Sequence, residues 1–184
     1  MAWRPLVVTL WAGLLLACGC SSSGSEPYES GYTFYPQPAT INVRRVGSNQ
    51  PPQVTVLVTV LGVRNADPKA YVPYSVALRM RFDNVGQSRI SFAPSSLELV
   101  TGTLIPFPPP VAEPPQPFEL APGERRELTT YFPFPPNTQA SQMGLQNLRL
   151  RWDTKIDGVS VPQSAVFNRI EGPAPPGPDP NVAY

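Results

Sequence analysis

The chain has 184 residues, 41% of them hydrophobic, and a formal net charge of +1, so its charge gives no basis for nucleic-acid binding. It contains no histidine, and its two cysteines, Cys18 and Cys20, lie near the N-terminus. Histidine-dependent and thiol-dependent catalysis, His-ligated zinc or copper, and thiolate metal sites are therefore excluded from the rest of the chain. We expect no cofactor, no metal and no intradomain disulfide.

A short apolar segment near the N-terminus predicts export. Arg4 precedes the apolar residues 6–17, and the small residue Ala17 stands directly before Cys18. This is the layout of an export signal with its cleavage site. The segment is shorter than the roughly 20 residues that a transmembrane helix needs. An ordinary secretory signal and a structural helix are the alternatives.

The residues Leu15-Leu16-Ala17-Cys18 resemble the lipobox of bacterial lipoproteins. The resemblance implies that residues 1–17 are a signal peptide and that Cys18 carries a diacylglycerol, which anchors the protein to a membrane. Cys20 is a poorer candidate because Ala17-Cys18-Gly19 precedes it. By the same resemblance, Gly19 lacks the inner-membrane retention signal that aspartate provides. In a Gram-negative cell this implies the outer membrane, at its periplasmic or surface face.

Segments of low complexity flank the central part of the chain. Residues 18–40 are rich in Ser, Gly and Pro and are predicted to form a lipidated tether. The four aromatic residues Tyr28, Tyr32, Phe34 and Tyr35 are more than a linker needs, and docking of this part on the domain or the membrane interface is the alternative. Residues 171–184 predict a disordered Pro-rich tail.

Residues 41–170 predict a single domain of short β-strands. Apolar residues alternate with polar ones in most segments, and Pro or Gly separates the segments. The predicted strands cover residues 54–61, 76–83, 90–92, 97–99, 126–132, 148–153 and 159–167. Pro122-Gly123 predicts a type II turn before one strand, and Asp157-Gly158 a two-residue hairpin turn before another.

Seven or eight such strands predict an all-β fold, namely an antiparallel β-sandwich, with a small closed barrel as the alternative. The strand spacing and the turns at residues 84–86 and 118–124 resemble the immunoglobulin-like modules of bacterial envelope lipoproteins. The chain lacks the paired cysteines and mid-domain Trp of antibody domains. By this fold analogy, the domain is expected to bind, scaffold or space rather than catalyse.

A proline-rich segment, residues 105–117, is the first candidate partner-binding site. Proline removes the amide donor, so the segment is predicted to be a loop outside the sheet ladders. Phe107, Pro108, Pro109 and Pro110 would present a preformed ligand to an aromatic groove of a partner protein. The alternative is a stiff connection between sheets that shields an edge strand.

Four arginines are the second candidate. Arg79 and Arg81 on one predicted strand, and Arg149 and Arg151 on another, point outward, and in one shared sheet they would form a face for an anionic ligand. The alternative is an ion-paired solvent face, because Glu98, Glu124, Glu127 and Asp153 are available as partners.

The remaining polar and aromatic residues give no catalytic or glycan-binding pattern. No two carboxylates are placed as a glycosidase pair requires, and no Asp-rich run predicts a calcium loop. Trp152 is predicted to belong to the core. Tyr131, Phe132 and Phe134 are predicted to pack there as well, with an exposed patch at a strand end as the alternative. The sequence therefore predicts a non-enzymatic, lipid-anchored envelope protein that acts as a structural or protein-interaction module with an envelope protein as partner. The alternative is a lipoprotein that binds glycan or another envelope component.

Overall fold

The computed structural model describes residues 28–45, 47, 49–67 and 72–172. The predicted signal peptide (1–17), the lipidation site Cys18 and residues 173–184 of the predicted tail lie outside these ranges. The described residues form eleven strands and two short 3-10 turns, at Pro94–Ser96 and Ala140–Gln142. The strands are β1 (Thr33–Tyr35), β2 (Ala39–Val43), β3 (Val54–Arg64), β4 (Ser75–Asn84), β5 (Ile90–Phe92), β6 (Glu98–Thr101), β7 (Val111–Glu113), β8 (Phe118–Leu120), β9 (Arg125–Pro133), β10 (Asn147–Ile156) and β11 (Val159–Ile170).

The strands form two antiparallel sheets. The five-stranded sheet has the order β2-β3-β4-β9-β7. The six-stranded sheet has the order β1-β11-β10-β5-β8, and β6 pairs with β10 next to β5. Every second residue of the central strands points into the space between the sheets, as the period of two requires. In β4 these residues include Leu78, Met80 and Phe82, which are fully buried.

Aromatic packing joins the two sheets. The ring centroid of Phe82 in the five-stranded sheet lies 4.6 Å from that of Phe92 and 5.5 Å from that of Phe118, both in the six-stranded sheet. Centroid distances of this size are typical of packed aromatic pairs. The predicted antiparallel β-sandwich is therefore confirmed. It contains more strands than the expected seven or eight, because short edge strands form in segments predicted to be irregular.

The predicted tether boundary is one such correction. Residues 18–40 are predicted to lie outside the domain, with docking of their aromatic part on it as an alternative. The alternative fits the structure, because β1 pairs with the end of β11 and β2 begins at Ala39. Phe34 is only 1% exposed and belongs to the core. Burial of this aromatic ring stabilises the pairing of a short strand that has little β-forming capacity alone. The folded domain therefore includes the chain from Tyr28.

The proline-rich segment is the other correction. Ile105 accepts a main-chain hydrogen bond from Thr101 (3.0 Å), and Phe107 donates one to Leu99 (2.9 Å), so the chain here lies along β6. The chain then crosses to the other sheet, where β7 pairs with β9. Val111, Ala112 and Glu113 all carry amides, unlike the prolines around them. The expectation that the whole segment stays outside the ladders is wrong.

The two predicted turns are confirmed. Asp157 and Gly158 join β10 to β11 with φ of 49° and 84°, the positive values that a tight hairpin turn requires. In the other turn, Gly123 has φ 81°, and Glu124 donates its amide to the Ala121 carbonyl oxygen at 3.0 Å. Both turns lie at the same end of the sandwich, which we call the distal end.

The chain enters and leaves the domain at the opposite end, which we call the proximal end. Tyr28 forms an isolated bridge with Arg64 at the end of β3. At the end of β11, the Arg169 side chain donates from Nε to the Gly31 carbonyl oxygen at 2.9 Å. The described N-terminal residues around Gly31 and the end of β11 therefore lie close to one another.

Candidate functional site

The predicted arginine face does not form. Arg79 and Arg81 lie on β4 in the five-stranded sheet, whereas Arg149 and Arg151 lie on β10 in the six-stranded sheet. Because both pairs point away from the core, they occupy opposite outer faces of the sandwich. The expectation of one anion-binding face is therefore wrong, since the strands that carry the two pairs do not share a sheet.

Ion pairs are concentrated in the distal half of the molecule. Asp83 accepts from Arg81 at 2.9 Å and also pairs with Arg125. The other pairs among the described residues are Arg89 with Glu119 (3.1 Å) and Arg45 with Asp157. The ion-paired solvent face therefore explains Arg81. Arg149 has no carboxylate oxygen within 4 Å in the described part of the chain.

The proline loop does not present its aromatic residue to solvent. Phe107 is 8% exposed, and its ring centroid lies 5.7 Å from that of Phe134 and 6.4 Å from that of Phe132. Among the candidate prolines only Pro109 is exposed, while Pro108 and Pro110 are half-buried. The prediction that Phe107 is presented to a partner is wrong, because its side chain is buried in the core. The alternative of a stiff connection that shields edge strands fits the structure.

Trp152 is a core residue, as predicted. Its side chain is buried, and its indole nitrogen donates to the Thr154 hydroxyl at 3.2 Å. The aromatic residues Phe132 and Phe134 are buried as well. Tyr131 is half-buried on the outer face, with the Arg64 guanidinium 4.7 Å from its ring centroid. Burial raises the pKa of Tyr131, the Glu113 carboxylate raises it further, and Arg64 opposes this shift.

Exposed apolar residues gather in the proximal half. Of the large hydrophobic side chains that the described residues expose, Leu104, Ile105, Val111, Val166 and Tyr35 lie there, and Val85 and Val159 lie distally. Val100, Leu104, Arg149 and Val166 line a small depression of about 200 Å³. We call these four residues and Ile105 the proximal patch. Arg149 occupies its centre, opposite Val100 on β6 and Val166 on β11.

Leu104 is the most exposed apolar member of the patch, at 69%. It stands in the turn after β6 with φ 62°, a left-handed conformation that leucine rarely adopts. The turn is held by Thr101, whose carbonyl accepts from the Leu104 amide (2.9 Å) and whose hydroxyl accepts from the Ile105 amide (3.2 Å). Leu104 was not singled out from the sequence. The available signal for an exposed apolar turn was the pair Leu104-Ile105 directly after Gly102-Thr103.

Among the described residues, one edge of β11 has no strand hydrogen-bonded to it over most of its length, although β2 of the other sheet lies close to β11. β10 pairs with β11 along one edge from Val159 to Asn168, but β1 covers only Asn168 to Ile170 of the other. The Arg169 amide donates to Gln146 on the β10 side, and amide directions alternate along a strand. The amides of Ser160, Ser164 and Val166 therefore point to the open edge, where Pro162 has no donor.

Two further depressions are wide and polar. Glu29, Tyr32, Tyr74 and Arg169 line one of about 560 Å³ at the proximal end. The Arg169 guanidinium stands 4.3 Å from the Tyr32 ring centroid, and Glu29 Oε2 is buried with no hydrogen-bond partner. The other, of about 590 Å³, follows the break between β5 and β6 and includes Glu98 and Arg151.

Within the described ranges, no group of three or more Asp, Glu, Cys or His side chains is arranged to hold a metal ion. The same residues include no helix with the length and hydrophobicity needed to cross a bilayer.

Three solved structures resemble this chain distantly. No protein-family model matches the chain, and no curated protein matches it. The FixG-related protein from Vibrio parahaemolyticus matches at a TM-score of 0.38 and 10% identity, over 64% of this chain and 96% of that one. The yjhA protein from Bacillus subtilis matches at a TM-score of 0.33 and 13% identity, over 53% of this chain and 71% of that one. The GAE domain of GGA2p from Saccharomyces cerevisiae matches at a TM-score of 0.30 and 12% identity, over 72% of this chain and 96% of that one.

Proposed function

We propose that the protein is a non-enzymatic, lipid-anchored component of a bacterial cell envelope and that its β-sandwich binds another envelope protein. The lipobox-like residues Leu15-Leu16-Ala17-Cys18 support the anchor. Cys18 is the modified residue, and Gly19 favours sorting to the outer membrane of a Gram-negative cell.

The open edge of β11 is the observation that carries the proposed protein interaction. An unpaired strand edge offers main-chain donors and acceptors to an extended segment of a partner, which then adds a strand to the sheet. Here the donors are the amides of Ser160, Ser164 and Val166. Main-chain bonds provide affinity in this binding mode, and the exposed side chains beside them, such as Ser164, provide selectivity.

The anchor is tested by replacing its thiol. Cys18→Ser should abolish labelling with a fatty-acid analogue and release the protein from washed membranes. Cys20→Ser is the matched control and should leave both unchanged. Continued acylation and membrane retention of the Cys18→Ser protein would refute the anchor.

The edge is tested by crosslinking on intact membranes followed by affinity capture. Ser164→Pro removes one edge amide without touching the bonds to β10, so capture of the partner should fall. Ser164→Ala keeps the amide and should capture normally. Equal thermal unfolding of the two variants shows that the fold is retained. Identical captured proteins from both variants would exclude the open edge as the binding site.

A ligand-binding lipoprotein is the second candidate, and the proximal depression lined by Glu29, Tyr32, Tyr74 and Arg169 supports it. Its mixture of aromatic rings and polar groups suits a glycan fragment of the envelope. Calorimetric titration with soluble cell-wall fragments tests this candidate. Tyr74→Phe, which removes only a hydroxyl, should weaken binding several-fold, and absence of heat with the unsubstituted protein would exclude it.

A further inference from the structure

The two ends of the sandwich differ in how their charged and apolar side chains are used. At the distal end, most arginines pair with carboxylates, as Arg89 does with Glu119, although Arg126 stands over the Phe118 ring. At the proximal end, Arg64 and Arg169 instead stand over tyrosine rings, and Arg149 lies among aliphatic side chains. Most of the exposed large hydrophobic residues are proximal too. The proximal end therefore has the character of an interaction surface.

Leu104 has a left-handed backbone conformation, and burial of its side chain in the domain does not explain why leucine occupies this position. A left-handed leucine costs about 1 kcal/mol or more relative to glycine at the same position. Leucine nonetheless occupies this site and exposes most of its side chain. The Leu104 and Ile105 amides donate hydrogen bonds to Thr101 and fix the turn, so the Leu104 side chain is held outward.

The N-terminal segment limits how far this end can stand from a membrane. The folded domain reaches back to Tyr28, so only ten residue steps separate Cys18 from it. Fully extended, ten residues span at most about 35 Å, and a flexible chain of that length averages about 17 Å end to end. The corrected domain boundary halves the tether expected from residues 18–40.

We propose that the proximal patch rests on the phospholipid surface of the membrane that holds the lipid anchor, an inference that depends on the proposed lipidation of Cys18. Leu104 and Ile105 enter the interfacial region, and Arg149 contacts lipid phosphate. Aliphatic tips with adjacent arginines and tyrosines are what membrane interfaces favour. The carboxylates at this end, Glu29, Asp67, Glu113 and Glu171, do not line the depression around Arg149.

The experiment uses acylated full-length protein in the Cys20→Ser background, where the folded domain has no cysteine of its own. Leu104→Cys carries an environment-sensitive dye at the patch; cysteine, like leucine, has a Cβ and adds no backbone strain. Val85→Cys is the matched control, because Val85 is also exposed and apolar but lies distally. Both proteins are reconstituted into vesicles of phosphatidylethanolamine and phosphatidylglycerol.

The proposal predicts a blue shift and loss of iodide quenching for the dye at position 104, and neither change at position 85. Arg149→Gln should partly restore quenching at 104, whereas Arg151→Gln should not. No shift at 104 in acylated, vesicle-bound protein would overturn the inference and leave the anchor standing. Failure to acylate Cys18 would overturn both. A shift seen only in native membranes would indicate a protein partner at the patch and would also overturn the lipid proposal.

Discussion

Asn84 ties the end of β4 to the other sheet, because its buried side-chain Nδ2 donates to the Leu120 carbonyl oxygen at 3.0 Å. The same amide donates to the Ser88 carbonyl at 2.8 Å, and Asn84 is 2% exposed. One side chain therefore satisfies two carbonyl groups and links the turn after β4 to β8.

Asn84→Ala should destabilise the domain by about 2–4 kcal/mol, because it leaves buried carbonyl groups without donors. Urea unfolding followed by tryptophan fluorescence measures this change. Asn168→Ala, at an exposed position of β11, is the matched control and should cost less than about 0.5 kcal/mol. Equal midpoints for the two variants would contradict the assigned role of Asn84.

The proline loop is expected to stabilise the fold through its aromatic residue. Phe107→Ala removes a ring packed on Phe132 and Phe134 and should cost about 3–5 kcal/mol. Pro109→Ala, at the exposed position of the same loop, should change the unfolding free energy by less than about 0.5 kcal/mol. An unchanged unfolding free energy for Phe107→Ala would contradict this stabilising role of the ring. Deletion of residues 108–115, which removes β7, should also destabilise the domain.

Pro162 is expected to limit self-association of the protein through the open β11 edge. Pro162→Val restores an edge amide and adds a strand-forming side chain, so the protein should associate in a concentration-dependent way. Sedimentation velocity over a range of concentrations measures it. Asp153→Val places the same side chain on the facing position of β10, away from the edge, and should remain unassociated. Equal association of both variants would assign the effect to hydrophobicity rather than to the amide.

Alkaline pH should weaken the fold through Tyr131. Its pKa is raised in the folded state, so above the ordinary tyrosine pKa of about 10 the unfolded chain releases the proton first. The stabilisation is therefore present below about pH 10 and is lost as the pH rises above it. Tyr131→Phe should lose less stability than the unsubstituted protein between pH 8 and 11 in urea unfolding. Parallel losses would exclude Tyr131 as the source.

The long strands could be predicted because their side chains alternate. Residues 54–61 and 76–83 form the interior of β3 and β4, and the hairpin around Asp157-Gly158 joins β10 and β11 as expected. Short strands could not be predicted in the same way. β1 and β7 have three residues each, too few to show a period, and they form because neighbouring strands and the core accept them.

The candidate site depended on which strands are neighbours. Arg79 and Arg149 are both outward residues of alternating strands, as predicted, but only the sheet order shows that they face opposite sides. Phe107 lies among prolines, where the sequence favours exposure, yet the turn after β6 carries it into the core.

The sequence by itself determined the lipobox-like motif, the absence of histidine and the alternation of the long strands, because each depends on residue identity and local spacing. The tertiary structure alone decided the open edge of β11, the proximal patch around Arg149 and the inclusion of β1 in the folded domain. These features depend on which segments pair at a distance, and such pairing follows from burial summed over the whole core rather than from any local pattern.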